Sequence, residues 1–331
     1  MVALAWVRKF ATTQFPHVPV DHGIRRGLFQ GTTPPSALKS LLFNAISVAA
    51  ASSRTINMRL MTYNIRLAVS VGGTGEELWS VRQPLMSAQL NYESAGRPEA
   101  LMCFQEATYP QVQDLDAGLG DEWTYVGVGR DDGAQGGEFS PIFYRPSVWK
   151  LEKNTTYWLS ETPEEVGSVG WDAALPRIVT VARFRHDSSG ARIVYMCTHF
   201  DHVGQIAREN SAKLLVNVSD DWSTYKKKTL PVFLGGDLNV TPDNVAYQTL
   251  ASEMYDTKDV VPEEHHFGNV KTYTAFTVDS SDDTEIDHIF VRDPEDLEWD
   301  SFAVLNTRFE DGIFISDHRP VVVDFKMPRK Q

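Results

Sequence analysis

The stretch Pro231-Val-Phe-Leu-Gly-Gly-Asp-Leu-Asn239 is a short apolar run that ends in an acidic and an amide side chain. A second run, Arg192-Ile-Val-Tyr-Met-Cys-Thr-His199, is apolar on both faces and ends in a histidine. Strands that are apolar on both faces are covered by other layers on both sides. The two stretches therefore predict buried strands of a layered fold, each with polar residues at its carboxyl end.

The same pattern continues along the chain from residue 58 onward. Apolar residues recur at helical spacing in three segments, which predicts helices over 81–92, 112–119 and 203–222. Alternating strands and helices over this length predict an α/β fold, a four-layer sandwich of two packed mixed β-sheets flanked by helices. The further predicted strands lie at residues 60–65, 100–105, 125–128, 140–144, 155–159, 178–182, 285–291 and 321–325.

Composition excludes several classes of protein. The chain has 331 residues, of which 42% are hydrophobic and 23% are charged, a balance typical of globular proteins rather than disordered ones. No apolar run approaches the roughly 20 residues that a membrane-spanning helix needs. We therefore expect a folded protein without a membrane-spanning segment and without a membrane partner.

The charge is unevenly distributed. The net charge is −13, yet residues 1–57 hold six basic residues and one acidic residue, Asp21, so the remainder carries −18. Such an acidic body would repel a phosphate backbone, so duplex DNA is not expected as a partner. A metal-filled acidic pocket would be compatible with this balance.

Residues 1–57 form a basic leader that is rich in Ser, Thr and Ala. This composition is typical of a mitochondrial transit peptide, whereas a secretory signal fits less well because the apolar stretch begins near residue 40. A gene-model extension is a third interpretation, since Met58 opens the run in which the first strand would begin. We expect the leader to lie outside the folded core, which would span 58–331, and a cytoplasmic location unless the leader directs the chain to mitochondria.

The two cysteines, Cys103 and Cys197, both lie in apolar, strand-like runs. Two cysteines cannot form a framework of several bridges. Free cysteine behaves as a small hydrophobic residue, and we therefore predict two buried, reduced thiols.

Polar residues end one predicted strand after another. A single such residue is usually a turn former or a helix cap. Repetition at many strands instead predicts a cluster at one sheet edge, and carboxylate oxygens are the ligands that Mg²⁺ prefers. The residues at these strand ends are Asn64, Glu106, His199, Asp237, Asn239, Asp287, Asp317 and His318.

Six blocks carry a resemblance to a known family and occur in its expected order over residues 58–326. The chain resembles the endonuclease/exonuclease/phosphatase superfamily, whose fold is a four-layer α/β sandwich, and 58–331 would be its catalytic domain. The blocks are Thr62-Tyr63-Asn64, Gln105-Glu106, Thr198-His199, Gly236-Asp237-Leu238-Asn239, Ile286-Asp287-His288-Ile289 and Ser316-Asp317-His318-Arg319-Pro320.

The resemblance implies a metal site. Glu106 would be the principal Mg²⁺ ligand, with Asn64 beside it, and Asp317 would assist in placing the metal and water. Mn²⁺ often substitutes at oxygen sites and is a possible replacement.

The resemblance also implies roles in the reaction. Asp237 would orient or deprotonate the attacking water, and Asn239 would hold the phosphate in the transition state. Asp287 would pair with His318 and keep its imidazole protonated, as a neighbouring carboxylate raises a histidine pKa. His199 would be a further phosphate contact.

Asp201 and His202 depart from the general pattern of the superfamily. They add two potential ligands, so a second metal or a specific substrate contact is possible. The alternative is that they cap the helix that begins near Val203, because Asp is a good N-cap residue.

The substrate is indicated by two further stretches, 157–163 and 170–177, which resemble a microbial and fungal branch close to the deadenylases. Arg177 suits a substrate phosphate because its guanidinium is a planar fork. Trp158 and Trp171 could stack a base, as in single-strand binders, or could be packing residues.

These observations predict a metal-dependent phosphoester hydrolase. The leading hypothesis is a 3′→5′ exonuclease acting on single-stranded RNA or short oligonucleotides. The alternative is a phosphatase or phosphodiesterase acting on a small phosphorylated metabolite, such as an inositol phosphate. A binding protein without turnover is a third hypothesis, which the complete set of site residues disfavours. The oligomeric state stays open.

Overall fold

The structure, a computed structural model, describes residues 54–278, 281 and 283–329. The interpretations of the leader concern residues that lie outside this range, apart from 54–57. Among the described residues, no helix combines the length and the apolar character needed to cross a membrane.

The first sheet has seven strands and is built around strand β1, Thr55–Asn64. This strand pairs in antiparallel fashion with β17, Val321–Pro328, and in parallel fashion with β2, Leu101–Gln105. The remaining strands are β4 (Thr124–Val126), β6 (Ile142–Tyr144), β14 (His266–Gly268) and β16 (Glu298–Val304), and the order across the sheet is β14-β16-β17-β1-β2-β6-β4.

The second sheet has six strands and is built around strand β12, Val232–Asp237. This strand is parallel to β9, Arg192–His199, and antiparallel to β15, Asp287–Arg292. The remaining strands are β7 (Trp149–Trp158), β8 (Ile178–His186) and β13 (Tyr255–Asp256), in the order β13-β15-β12-β9-β8-β7.

Helices and two short ladders complete the fold. The segments with helical spacing form α1 (Trp79–Ser94), α2 (Tyr109–Leu119) and α3 (Gln205–Trp222), which confirms the three predicted helices. The shorter elements are α4 (Val245–Ala251), α5 (Thr257–Val260), a 3₁₀ turn (Glu263–His265), and the strand pairs β3 (Ala107–Thr108) with β5 (Glu138–Phe139) and β10 (Thr224–Tyr225) with β11 (Lys228–Thr229).

Three apolar clusters fill the spaces between the four layers of the fold, which are two sheets and the helices on their outer faces. The largest cluster lies between the sheets, where Leu60 of the first sheet and Phe233 of the second belong to one buried group. A second cluster joins α1 and α2 to the first sheet, and a third joins α3 and α4 to the second sheet. The four-layer α/β sandwich predicted from the sequence is therefore confirmed.

The folded domain begins before Met58, its predicted start. Strand β1 starts at Thr55, which pairs with Pro328, and Ile56 is 1% exposed in the core between the sheets. The sequence signal was weak here because Asn57 interrupts the apolar run.

The prediction of two reduced thiols is corrected by the structure. Cys103 on β2 and Cys197 on β9 form a disulfide between the two sheets, with their Cα atoms 5.6 Å apart. Because both strands are apolar on both faces, the sequence could not indicate that these two positions face each other across the interface.

Candidate functional site

The polar residues at the strand ends meet at one edge of the sandwich. Parallel strands β1 and β2 end side by side, with Asn64 opposite Gln105, and Glu106 follows directly. Parallel strands β9 and β12 likewise end with His199 opposite Asp237. Because the carboxyl ends of parallel strands lie at the same edge, four separate segments deliver polar side chains to one place.

Asn64 connects the two sheets. Its Nδ2 donates to Oε1 of Glu106 and to Oδ2 of Asp237, both at 3.0 Å. Its Oδ1 accepts a hydrogen bond from the backbone N of Arg66 at 3.0 Å. Asn64 therefore links the two carboxylates through its N–H groups, and its role as a metal ligand beside Glu106 stays a prediction of the resemblance.

Glu106 and Asp317 form the acidic pair that suits a cation. Oε2 of Glu106 accepts a hydrogen bond from the backbone N of Leu67 at 2.9 Å, and the Glu106 backbone has a φ of 60°, in the left-handed region. Burial and the negative charge of Glu106 raise the pKa of Asp317 to about 6, although His318 acts in the opposite direction. A divalent cation between these hard oxygen donors would relieve their repulsion, so the donor set fits a metal.

Asp237, Asp287 and His318 form a second group, whose potential ligand atoms lie within 4.8 Å of one another. Nδ1 of His318 lies 2.8 Å from Oδ2 of Asp287, and its Nε2 lies 3.6 Å from Oδ2 of Asp237. Burial alone would lower the pKa of His318, but Asp287 and Asp237 raise it well above 6.5. A protonated imidazole cannot bind a metal, so the raised pKa makes this group better suited to hold a proton than a cation.

Asn239 and His199 lie on the other side of Asp237. The backbone N of Asn239 donates to Oδ1 of Asp237 at 2.8 Å, and Asn239 has a φ of 51°. Its Nδ2 lies 3.0 Å from Nε2 of His199 and donates to the carbonyl of Phe200 at 3.0 Å. These contacts use both N–H bonds of the Asn239 amide and hold the two side chains together at the cavity wall.

Glu138, at the start of β5, is a site residue that our reading of the sequence missed. Its Oε2 accepts a 2.7 Å ion-paired hydrogen bond from Nη1 of Arg130 and lies 3.7 Å from Nδ1 of His199. Burial alone would raise the pKa of Glu138, but His199, Arg130 and Arg177 lower it to about 2. Glu138 begins a strand rather than ending one, so the strand-end signal could not find it.

The site opens into a cavity of about 770 Å³. The residues Asn64, Asp237 and Asp287 are buried and do not belong to its walls, whereas Glu106, Asn239, His199, Asp317 and His318 do. The sequence had not marked the further lining residues Arg66, Glu138, Arg208 and Tyr273 as site residues. The ring of Tyr273 packs against His318, with ring centroids 5.0 Å apart.

The sequence profile described as the endonuclease/exonuclease/phosphatase family matches residues 61–318, which contain all the strand-end residues above. The chain belongs to this family. Its members hydrolyse phosphoric esters and generally depend on a divalent metal, so the chain is a metal-dependent phosphoric-ester hydrolase. A search of curated protein sequences found no match.

Solved structures of family members are similar over most of the chain. A family protein from Bacteroides thetaiotaomicron is 29% identical, with a TM-score of 0.73, and the match covers 82% of this chain and 98% of that one. A mannosyl-6-phosphatase from the same organism is 30% identical, with a TM-score of 0.72 and coverages of 81% and 99%. The human Nocturnin catalytic domain, at 18% identity, a TM-score of 0.61 and coverages of 82% and 94%, shares the fold.

Asp201 stabilises the loop that precedes α3. Its carboxylate accepts hydrogen bonds from the backbone N atoms of Val203, Gly204 and Ala174 at 3.0, 2.8 and 3.1 Å. Burial would raise the pKa of Asp201, but these N–H groups lower it to about 2. The capping interpretation is therefore not confirmed for Asp201: Gly204 is the N-cap of α3, and the backbone N atoms of Ile206 and Ala207 in its first turn donate to Asp172. His202 lines the cavity.

The two tryptophans do not face the cavity. Trp158 is 4% exposed, and its indole Nε1 donates to the carbonyl of Arg130 at 2.6 Å. Trp171 has a φ of 52°, and its backbone N donates to Oε2 of Glu161 at 3.2 Å. Neither residue belongs to the cavity walls, in contrast to Arg177, so the expected stacking surface for bases is not formed by these side chains.

Proposed function

We propose that the chain is a Mg²⁺-dependent phosphomonoesterase that acts on a small phosphorylated metabolite, a sugar phosphate. The observation that carries this proposal is the cavity of about 770 Å³, which has charged and hydrogen-bonding walls and excludes Trp158 and Trp171. Such a volume suits one small polar molecule. The similarity to a mannosyl-6-phosphatase at 30% identity supports the same substrate class.

The leading hypothesis from the sequence was a single-stranded exonuclease. Its argument used Trp158 and Trp171 as stacking surfaces and Arg177 as a phosphate contact. Of these three residues, only Arg177 lines the cavity. The net charge of −18 outside residues 1–57 also disfavours binding of a long polyanion. We therefore prefer the second sequence hypothesis, the small-molecule phosphatase.

The metal would be held by Glu106 and Asp317, and when bound it would supply positive charge to the phosphoryl oxygens. Asp237 would accept a hydrogen bond from the attacking water. Burial would raise the pKa of Asp237, but His318 and His199 lower it, so this carboxylate suits orienting the water more than removing its proton beforehand.

The remaining residues stabilise charge as the ester bond breaks. Asn239 and His199 would exchange their present contacts for hydrogen bonds to phosphoryl oxygens, whose negative charge grows in the transition state. His318 carries a proton at Nε2 because Asp287 holds Nδ1 and the two carboxylates nearby favour its charged form. Water attacks phosphorus, the P–O bond to the alcohol breaks, and the products are inorganic phosphate and the free sugar.

The test compares two substrates with the full chain and Mg²⁺. Release of inorganic phosphate from mannose 6-phosphate is measured beside shortening of a labelled single-stranded oligoadenylate, with Glu106→Ala as the blank. Phosphate release from the sugar without shortening of the oligonucleotide is expected. Stepwise shortening without phosphate release would overturn the proposal in favour of the exonuclease.

The choice of metal is tested in the same assay. After treatment with EDTA, activity is expected to return with Mg²⁺, and Mn²⁺ would also restore it if it substitutes at the oxygen ligands. Full activity in EDTA would contradict a role for Glu106 and Asp317 as metal ligands.

A further inference from the structure

Three nitrogen-bearing side chains on the cavity wall have no part in the mechanism above. Arg177 comes from the segment before β8, while His202 and Arg208 come from the beginning of α3 and the loop before it. We call these three residues the cationic wall. Glu106 and Asp317 belong instead to segments that flank strands of the first sheet.

The local contacts hold both guanidinium groups in place. Nε of Arg177 lies 3.4 Å from Oδ2 of Asp201, and its Nη2 donates to Nδ1 of His202 at 2.9 Å. Nη1 of Arg208 donates to the carbonyl of Asp201 and Nη2 to Oε1 of Gln205, both at 2.9 Å. Groups fixed in advance in this way lose little conformational freedom when a ligand binds.

The hydrogen bonds of the cationic wall are incomplete. Arg177 is 4% exposed, yet among the described residues its Nη1 has no hydrogen-bond partner, and neither has the buried Nε of Arg208. Because Nδ1 of His202 accepts from Arg177, the imidazole proton of neutral His202 is on Nε2, and this side chain is half exposed. Buried donors without partners are uncommon in folded proteins, and they call for an explanation.

Among the described residues, the contacts of the wall pair one of its two guanidinium groups with a carboxylate. Arg177 lies against the carboxylate of Asp201, which also accepts three backbone N–H bonds, whereas Arg208 donates to two uncharged oxygens, the carbonyl of Asp201 and Oε1 of Gln205. The carboxylate of Glu138 also attracts Arg177, but its charge is matched by that of its ion-pair partner Arg130. A positive charge therefore remains on one side of a cavity whose other side carries Glu106 and Asp317.

We propose that the cationic wall binds a second anionic group of the substrate, while the phosphate to be hydrolysed lies at Asn239, His199 and His318. This inference rests on the proposed function and narrows it to sugars that carry one phosphate and a further anion. A guanidinium fork matches the oxygen pairs of both phosphate and carboxylate groups.

The experiment uses three phosphorylated hexose derivatives that differ at C1 and share a phosphate on C6. Glucose 6-phosphate has a neutral hydroxyl at C1, 6-phosphogluconate has a carboxylate, and glucose 1,6-bisphosphate has a phosphate. With the full chain and Mg²⁺, at least one of the two substrates that carry a second anionic group is expected to have a kcat/KM about 10-fold or more above that of glucose 6-phosphate. Preference for the bisphosphate alone identifies phosphate as the second anion. Preference for both substrates shows that the cationic wall binds phosphate and carboxylate alike.

A variant shows whether the wall causes this preference. Arg208→Gln is expected to lower kcat/KM for the preferred substrate with two anionic groups at least about 10-fold more than for glucose 6-phosphate. Lys213→Gln is the matched control, because Lys213 is exposed on the same helix and its Nζ contacts Asn210. Arg177→Lys keeps the charge but removes the fork, and it should reduce the preference with little change in the melting temperature.

The two proposals fail in different ways. Equal or faster hydrolysis of glucose 6-phosphate, or an equal effect of Arg208→Gln on all three substrates, would overturn the second-anion inference and leave the phosphatase intact. Absence of phosphate release from all three sugars and from mannose 6-phosphate would overturn the proposed function, and the second-anion inference with it.

Discussion

Replacing Glu138 by Gln removes one buried charge and keeps the shape of the side chain. The Glu138 side chain is 16% exposed and is ion-paired with Arg130, and positive neighbours lower the pKa of its carboxyl from 4.5 to about 2. At about 1.4 kcal/mol per pH unit, this difference corresponds to up to ~3 kcal/mol of folding free energy at pH 7. We therefore expect Glu138→Gln to lower the free energy of unfolding by up to this amount.

The pH dependence identifies the cause. Because the pKa of the folded state lies below the unfolded value of 4.5, the contribution is fully present above that pH and is lost as the pH falls toward 2. Urea unfolding, followed by tryptophan fluorescence at pH 7, 5, 4 and 3, measures the difference between the two proteins. The difference is expected to shrink steadily below pH 4.5.

The control is Glu122→Gln. Glu122 forms a 2.9 Å ion pair with Arg145, but its side chain is 60% exposed, so its loss should change stability by less than about 1 kcal/mol. A difference for Glu138→Gln that is the same size at pH 3 as at pH 7 would refute the electrostatic argument, since it would then arise from packing.

Three further substitutions test the reaction. Glu106→Ala should abolish metal-dependent activity. It should leave the melting temperature of the metal-free protein nearly unchanged, because the lost hydrogen bonds are offset by the lost repulsion with Asp317. A large decrease in the melting temperature, measured by calorimetry, would mean that Glu106 has a structural role. Asn239→Ala should lower kcat more than it raises KM in steady-state assays, and the reverse would argue against transition-state binding. Asp287→Asn should move the alkaline limb of the kcat profile to lower pH, since the pKa of His318 is raised by Asp287 and activity falls as that group loses its proton; an unmoved limb would exclude this pairing as its origin.

Much of the fold could be predicted because apolar strands and amphipathic helices alternate clearly after residue 58. The strand ends were equally informative, since parallel pairing carries Asn64 next to Gln105 and His199 next to Asp237. Residues that end parallel strands must share an edge, so their proximity follows from topology alone. Their individual contacts do not, as Asn64 illustrates by turning its amide nitrogen to both carboxylates.

The features that could not be predicted depend on which neighbouring element each face of a strand contacts. Cys103 and Cys197 lie in strands that are apolar on both faces, so periodicity could not reveal that they oppose each other. The sequence is equally compatible with Trp158 as a stacking and as a packing residue, because it does not show that the indole donates to a backbone carbonyl. Glu138 depends on a two-stranded ladder too short to leave a pattern in the sequence.

The left-handed backbone at Glu106 and Asn239 has a consequence for how this chain can change over evolution. Glycine adopts such a φ more readily than any other residue, so a glycine at either position would relieve local strain. A glycine at position 106 would also remove a carboxylate that suits a cation, and a glycine at position 239 would remove an amide placed for phosphate. Selection for a more stable fold and selection for faster turnover therefore act in opposite directions at these two positions.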